Sequence, residues 1–298
     1  MIEHRRSDAL IKASFYLILS AFAFLCLLPM LVTVSISLSD EKDLIRNGYR
    51  LLPRVFSTGA YEYILANPAS ILNAYGVTIL STALGTVLGV FFMSMAAFPL
   101  SRGDFRFRKI ITFYIFFTML FSGGLVPTYI VVTRYLRLQD SLWVLFLPVF
   151  ITAWNTFLLI TYLRSIPFEL VESAKMDGAR EFTIYLRIIL PMAKPALATV
   201  ALLLALRIWN EWFTSLLYIR DQRLVSLQFW MQRVMQNMQF LLMNQDMMGG
   251  ASMAGLGELP SESARMAMAV LAAGPMMFVF PFFQKYFTRG LLVGSIKG

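Results

Sequence analysis

Few side chains in this sequence can do covalent chemistry. Histidine occurs once, at His4, and cysteine once, at Cys26. That count excludes a histidine dyad, a multi-histidine metal site, an intrachain disulfide and a thiolate cluster. Neither a G-x-x-x-x-G-K-[ST] nor a G-x-G-x-x-G pattern occurs, so the chain carries no recognisable nucleotide site. The expectation is a protein with no catalytic residue, no metal and no cofactor, and so no enzyme. Two polar groupings remain. Arg207 and Glu211 interrupt an otherwise apolar stretch from Pro195 to Ile219. An ionisable group within a membrane helix costs about 2.5–3.5 kcal/mol even on the mild insertion scale, so it marks a functional position. At i and i+4 the two share one helix face and can pair, although arginine before glutamate is the weaker order. The second grouping is Glu172, Asp177 and Gly178, set between two apolar stretches.

The elements that position these residues are membrane spans. Of 298 residues, 58% are hydrophobic and 14% are charged. Mean hydropathy is +0.67. A disordered chain, a coiled coil and a disulfide scaffold are excluded, and a soluble enzyme does not fit. A span needs about 20 mostly apolar residues. Stretches free of Asp, Glu, Lys and Arg lie between Lys12 and Asp40, Lys109 and Arg134, Asp140 and Arg164, and Arg265 and Lys285. Another lies between Glu62 and Arg102, with its apolar part at 73–99. With 195–219 they predict six transmembrane helices in an all-α integral membrane protein. The first stretch is too long for a signal-peptide core and is expected to remain as an uncleaved helix.

Six spans put both termini on one side. With the N-terminus inside, the inner segments carry net charge +8 and the outer segments 0. The positive-inside rule selects that orientation. The overall charge of +9 is thus a topology signal and not a nucleic-acid footprint.

Ser81, Gly85 and Gly89 recur every four residues in the second span, a spacing that lets helix backbones approach closely. Ala269 and Ala273 offer a similar surface in the sixth span, and kinks are expected at Pro29, Pro148 and Pro275. The segment Leu224–Asn244 predicts an amphipathic helix, and Gly249, Gly250, Gly255 and Gly257 follow it as a flexible stretch.

The inner loop 164–195 predicts a helical hairpin. Pro167 suits a first helical turn, and Glu169 and Glu172 complement its dipole. Leu170, Ala174 and Met176 are expected to supply its apolar side. Gly178 is placed to end the helix in a left-handed conformation. A second helix over Glu181–Ile189 carries Phe182, Tyr185, Leu186 and Ile189, and Pro191 and Pro195 punctuate entry to the fifth span.

The run Glu172-Ser-Ala-Lys-Met-Asp177-Gly178-Ala179, followed by Ile188 and Leu190-Pro191, resembles the EAA loop of permease subunits of binding-protein-dependent ABC importers. Ser173 replaces the family's first alanine, a small-for-small change. Lys194-Pro195 and Trp209-Asn210 continue the likeness. The C-terminal Gln284–Gly298 is similar to the end of MalG-like carbohydrate permeases, and more so to the LplC-like branch. The resemblance covers about three quarters of the chain.

It implies an importer type I permease bundle with a cytoplasmic EAA coupling hairpin. Residues 1–72 would hold the tail, first helix and outer loop, 73–285 the permease domain, and 286–298 a cytoplasmic tail. Glu172, Ser173, Ala174, Asp177, Gly178, Ala179 and Pro191 would couple to the ATPase. Gly290, Gly294, Lys297 and Gly298 would approach the ATPase pair. Trp209 can stack on a sugar face and Asn210 can bond hydroxyls. The other reading of Arg207, Trp209, Asn210 and Glu211 is a clamp between permease subunits. The implied partners are a second, non-identical permease, two ATPase subunits, an extracytoplasmic solute-binding protein, a carbohydrate and the bilayer of a bacterial cell membrane, with both termini cytoplasmic. The alternative from another class is a secondary transporter or channel built on Arg207 and Glu211.

Overall fold

The computed structural model describes residues 2–243 and 261–290. The chain forms two compact units, residues 1–68 with 233–274, and residues 69–232 with 275–298. Regular secondary structure among the described residues is helical apart from one isolated antiparallel bridge, Ser39 to Phe56.

The first unit holds α1 (Ile2–Ser37), α2 (Glu41–Asn47), α3 (Gly59–Ile64) and the first half of α14 (Ser261–Gly290). The apolar stretch Lys12–Ser37 is exposed over most of its length, as suits a helix that faces lipid or another subunit. Its end is fixed by polar contacts. Ser37 Oγ and Tyr61 Oη share a hydrogen bond of 2.9 Å. Asp40 caps α2 by accepting from the Asp43 N–H.

Glu41 is buried and reaches the start of α14. One carboxylate oxygen accepts from Ser261 Oγ (3.0 Å) and the Glu262 N–H (2.9 Å). The other accepts from the Ser263 N–H (3.0 Å) and Ser263 Oγ (2.7 Å). A carboxylate distant in sequence thereby satisfies donors that a helix N-terminus leaves without intrahelical partners. Burial pushes the Glu41 pKa up, but the four donors outweigh it and hold it below the ordinary glutamate range. A depressed folded-state pKa gives stability that is complete above the unfolded value, about 4.3, and is lost as pH falls through the folded one. Glu41→Gln is expected to cost about 1–3 kcal/mol at neutral pH. In detergent melts, wild type should lose that margin under acid while the variant shows no corresponding change. Identical melting at neutral pH would remove the clasp.

The second unit is built on α4 (Pro68–Ser101). Gly85 and Gly89 are the points where other backbones close on it. A Cβ at Gly85 would lie 2.6 Å from Ile208 Cδ1 and 2.8 Å from Phe146 Cβ. One at Gly89 would lie 2.5 Å from Leu204 Cδ2 and 2.6 Å from the Phe150 carbonyl oxygen. The Ser81–Gly85–Gly89 stripe is therefore a packing surface. In α14, by contrast, Ala264 and Ala267 are buried while Ala269 and Ala273 are exposed.

Three of the six expected spans are single long helices: Lys12–Ser37, Pro68–Ser101 and Ser261–Phe283. The other three are broken. In the third, α5 (Arg108–Leu120) and the stretch from α6 (Leu125–Ile130) to Tyr135 meet at 113°. Ser122-Gly123-Gly124 lies between them, and Gly124 has φ +87°, which only glycine adopts freely. The fourth holds a short 3-10 turn (Leu142–Leu145), irregular chain around Pro148, and then α7 (Ala153–Leu163), capped by Thr152. Val144 and Phe146 are fully buried there, so protein surrounds this irregular backbone, the condition for its presence at membrane depth. The fifth is α11 (Lys194–Trp209), which stops short of the expected Ile219; α12 (Phe213–Tyr218) follows. With each bent pair taken as one span, the described residues hold up to five, plus the short apolar α7. Charge-free length locates apolar segments but does not register glycine and proline breaks inside them.

The Gln- and Met-rich segment forms α13 (Leu227–Met243), as its pattern predicts. The Leu227 N–H donates to Thr78 Oγ1 of α4 at 2.8 Å. Gly249, Gly250, Gly255 and Gly257 lie outside the described residues.

Candidate functional site: a surface hairpin and a broken helix

The expected hairpin is present as α8 (Glu169–Met176), α9 (Glu181–Ile184), a π turn over Tyr185–Ile189, and α10 (Leu190–Met192). Gly178 ends α8 with φ +79°. The Ala179 N–H bonds the Ala174 carbonyl at 2.9 Å, and the Gly178 N–H bonds the Lys175 carbonyl at 3.0 Å. This pair of bonds is the Schellman motif. A Cβ at Gly178 would meet nothing within 4 Å, so glycine is required by conformation and not by space.

The buried face of α8 differs from expectation. Val171 and Ala174 are buried, against a core that includes Ile184, Tyr185 and Leu163. Leu170 and Met176 point outward, and Met176 is 88% exposed. The buried pair at 171 and 174 has i, i+3 spacing, in place of the expected side of Leu170, Ala174 and Met176. Phe182 and Leu186 are also exposed, whereas Tyr185 and Ile189 are buried. Glu172, Ser173, Asp177 and Pro191 lie on the surface, and Ala179 is partly covered. The hairpin thus has an apolar base and a free tip that mixes apolar and charged groups.

A charge network missed in the sequence holds the base. Arg102, just past α4, pairs with both Asp104 and Glu181. Lys175 of α8 pairs with Glu181 at 2.9 Å and Asp104 at 3.5 Å. The Arg102 side chain is 11% exposed. It lies over the Phe98 and Phe168 rings at 5.5 and 5.7 Å. Its hydrogen bond holds the Asp104 carboxyl below the ordinary aspartate range. The sequence signal for this network is the Arg102-Gly103-Asp104 step at the end of a span. A groove of about 490 Å³ lies beside the network, lined by residues including Met95, Phe105 and Phe182. Deeper in, Tyr185 Oη and Ser94 Oγ of α4 share a buried hydrogen bond of 2.7 Å.

The second site is the end of α11. The helix stops at Trp209, and Asn210 folds back, its side-chain amide donating to the Leu206 carbonyl at 2.8 Å. Gln228 Nε2 of α13 donates to Asn210 Oδ1 at 3.3 Å. Glu211 does not pair with Arg207. Its carboxylate accepts from the Thr214 N–H at 3.0 Å and so caps α12. The break removes the i, i+4 geometry that the pairing needed. Arg207 and Asn210 are exposed, while Trp209 is 4% exposed and offers no free ring face. Trp212 and Phe213, each 40% exposed and packed edge to face, present the aromatic surface beside the break.

Of the expected tail residues, Gly290 ends α14, and Gly294, Lys297 and Gly298 lie outside the described residues. No group of three or more metal-ligating side chains occurs among the described residues.

The sequence pattern of the binding-protein-dependent transport system inner membrane component family matches residues 85–293. The chain belongs to this family. The permease is 37% identical over 298 residues, 100% of each chain, to the polygalacturonan/rhamnogalacturonan transport system permease protein YtcP of Bacillus subtilis (strain 168). It is 36% identical over 282 residues to Protein LplC of the same organism, covering 95% of this chain and 93% of that one. Among solved structures, it is similar to a bacterial ABC transporter involved in the import of the acidic polysaccharide alginate. The TM-score is 0.77 at 29% identity, covering 95% of this chain and 98% of that one. The permease is thus a multi-pass membrane subunit of an ABC importer and not itself an enzyme. Its class works with an ATPase, a binding protein and a partner permease. The secondary-transporter alternative loses its chemical basis as well, because the Arg207–Glu211 pair does not form.

Proposed function

We propose that the permease imports an oligosaccharide across a bacterial cell membrane, with both termini cytoplasmic and the α8–α9 hairpin docked on an ATPase. The observation that carries this is the hairpin itself: a turn with fixed geometry, a buried base, and a tip that leaves Met176 and Phe182 in solvent. A free apolar tip on a rigid base suits insertion into a partner's cleft. Glu172, Ser173, Ala174, Asp177, Gly178, Ala179 and Pro191 are the coupling residues of this reading. Two ATPase subunits, one under each permease, drive the hairpins together, and a second, non-identical permease completes the pathway. An extracytoplasmic binding protein delivers the solute. The permease domain is 73–285, after an N-terminal region at 1–72. The tail at 286–298, with Gly290, Gly294, Lys297 and Gly298, reaches the ATPase pair.

Contacts within the second unit give the hairpin a route to the pathway. Tyr185 joins it to α4 through Ser94. Gly89 and Gly85 of α4 in turn meet Leu204 and Ile208 of α11. A shift of the hairpin therefore moves close-packed backbones that end at Asn210, where the polar break lines the solute path. The carbohydrate assignment rests on the relatives. YtcP is named for polygalacturonan and rhamnogalacturonan, and the solved neighbour for alginate.

The test is reconstitution of the complex in proteoliposomes with its binding protein. Uptake of labelled oligosaccharide should require ATP and all subunits. ATP-independent uptake by the permease alone would contradict the proposal.

A further inference from the structure

We infer that Arg207 is a specificity determinant for anionic sugars, binding a carboxylate of the passing oligosaccharide at the α11 break. The inference rests on the carbohydrate reading above and adds the charge class of the substrate.

Its position comes first. Ile208 meets α4 at Gly85. Gly85 stands near the middle of the 34-residue helix, about 24 Å from its Ser101 end. The neighbouring Arg207 is thus at mid-depth in the bundle. Leu204 and Ile208 pack toward α4 and are buried, whereas Leu203, Arg207 and Asn210 form an exposed stripe at i, i+4 and i+7. Lipid is an unfavourable neighbour for a guanidinium at that depth, so the stripe faces a partner or an aqueous path.

The chemistry comes next. The Arg207 side chain makes no ion pair or hydrogen bond among the described residues. The nearby carboxylate of Glu211 is engaged in capping α12. A guanidinium with open donors matches a carboxylate in two-point geometry. Neutral sugar hydroxyls would leave its charge uncompensated at mid-depth. Around it, the exposed Asn210 amide and its partner Gln228 retain unused donors and acceptors for hydroxyls. Trp212 supplies an accessible ring face where Trp209 does not. Charge, amides and aromatic surface together suit a uronate unit.

The test uses the assembled complex with its binding protein in proteoliposomes and three probes: trigalacturonate, its uncharged methyl ester, and maltotriose. The binding protein's own preference is the same for every permease variant, so the ratio between probes isolates the permease. Arg207→Gln should lower trigalacturonate uptake about tenfold relative to the ester, the size of one charge-assisted contact. Arg207→Lys should restore most of the ratio. An equal fall for both probes, or no fall, overturns the inference. So does loss of the second permease from the Arg207→Gln complex on gel filtration, which would make Arg207 a subunit clamp. A wild-type complex that imports only uncharged probes overturns the inference and keeps the carbohydrate reading. One that imports none of the three overturns both.

Discussion

Gly89→Val is expected to remove most of the folded permease from the membrane. The added Cβ would lie 2.5 Å from Leu204 Cδ2 and 2.6 Å from the Phe150 carbonyl oxygen. The leucine methyl can rotate away. The carbonyl cannot, because its backbone is part of the irregular segment packed against α4. Overpacking a close-fitting site costs about 1–3 kcal/mol, and more where backbone has to move. A branched side chain on α4 falls in the upper part of that range. Gly76→Ala in the same helix is the control. Its Cβ would meet nothing within 4 Å, and alanine is the better helix former. Fluorescence-detected gel filtration and thermal melts in detergent should show a collapsed Gly89→Val peak beside an unchanged or slightly stabilised Gly76→Ala. Equal behaviour of the two would mean that the stripe is not a packing surface.

Gly178→Pro is expected to abolish ATP-driven uptake while leaving the bundle folded. Proline cannot adopt φ +79°, and it lacks the N–H that bonds the Lys175 carbonyl at 3.0 Å. Both halves of the turn are lost, a local cost of about 3 kcal/mol or more. The α4–α11 contacts at Gly85 and Gly89 are untouched, so membrane levels and binding of the partner permease should match wild type. Gly178→Ala keeps the N–H and pays only the left-handed conformation, about 1–2 kcal/mol. Uptake should therefore rank glycine, alanine, proline, measured with the reconstituted complex. Wild-type uptake by Gly178→Pro at normal expression would sink the docking role of the hairpin.

The hairpin was legible because its signals are local. Pro167, the acidic first turn and Gly178 each act within a few residues, and the structure places a Schellman turn where the glycine predicts one. The Ser81–Gly85–Gly89 stripe was legible for a similar reason, since small residues at a fixed spacing have one main use in a bundle. What the sequence did not show depends on distant groups. Arg102, Lys175, Asp104 and Glu181 come from three chain segments, and only the fold brings them together. The Glu41 clasp joins residues more than two hundred positions apart. Arg207 and Glu211 were paired on the assumption of a continuous helix, and Asn210 ends it. Beside the same break Trp209 is buried and Trp212 is exposed, a difference that a continuous helix pattern does not show. Span counting did not register the breaks at Ser122-Gly123-Gly124 and around Pro148, because hydropathy averages over interruptions that protein packing tolerates.

The central claim is that the α8–α9 tip binds the ATPase. Met176 tests it most directly, because it is 88% exposed and contributes nothing to the hairpin's own core. Tagged permease is purified from mild-detergent membranes, wild type beside Met176→Glu, and the co-purifying chains are identified by mass spectrometry. The account predicts that both recover the second permease and that Met176→Glu loses most of the ATPase. Undiminished ATPase on Met176→Glu, with Gly178→Pro also retaining it, would contradict the account.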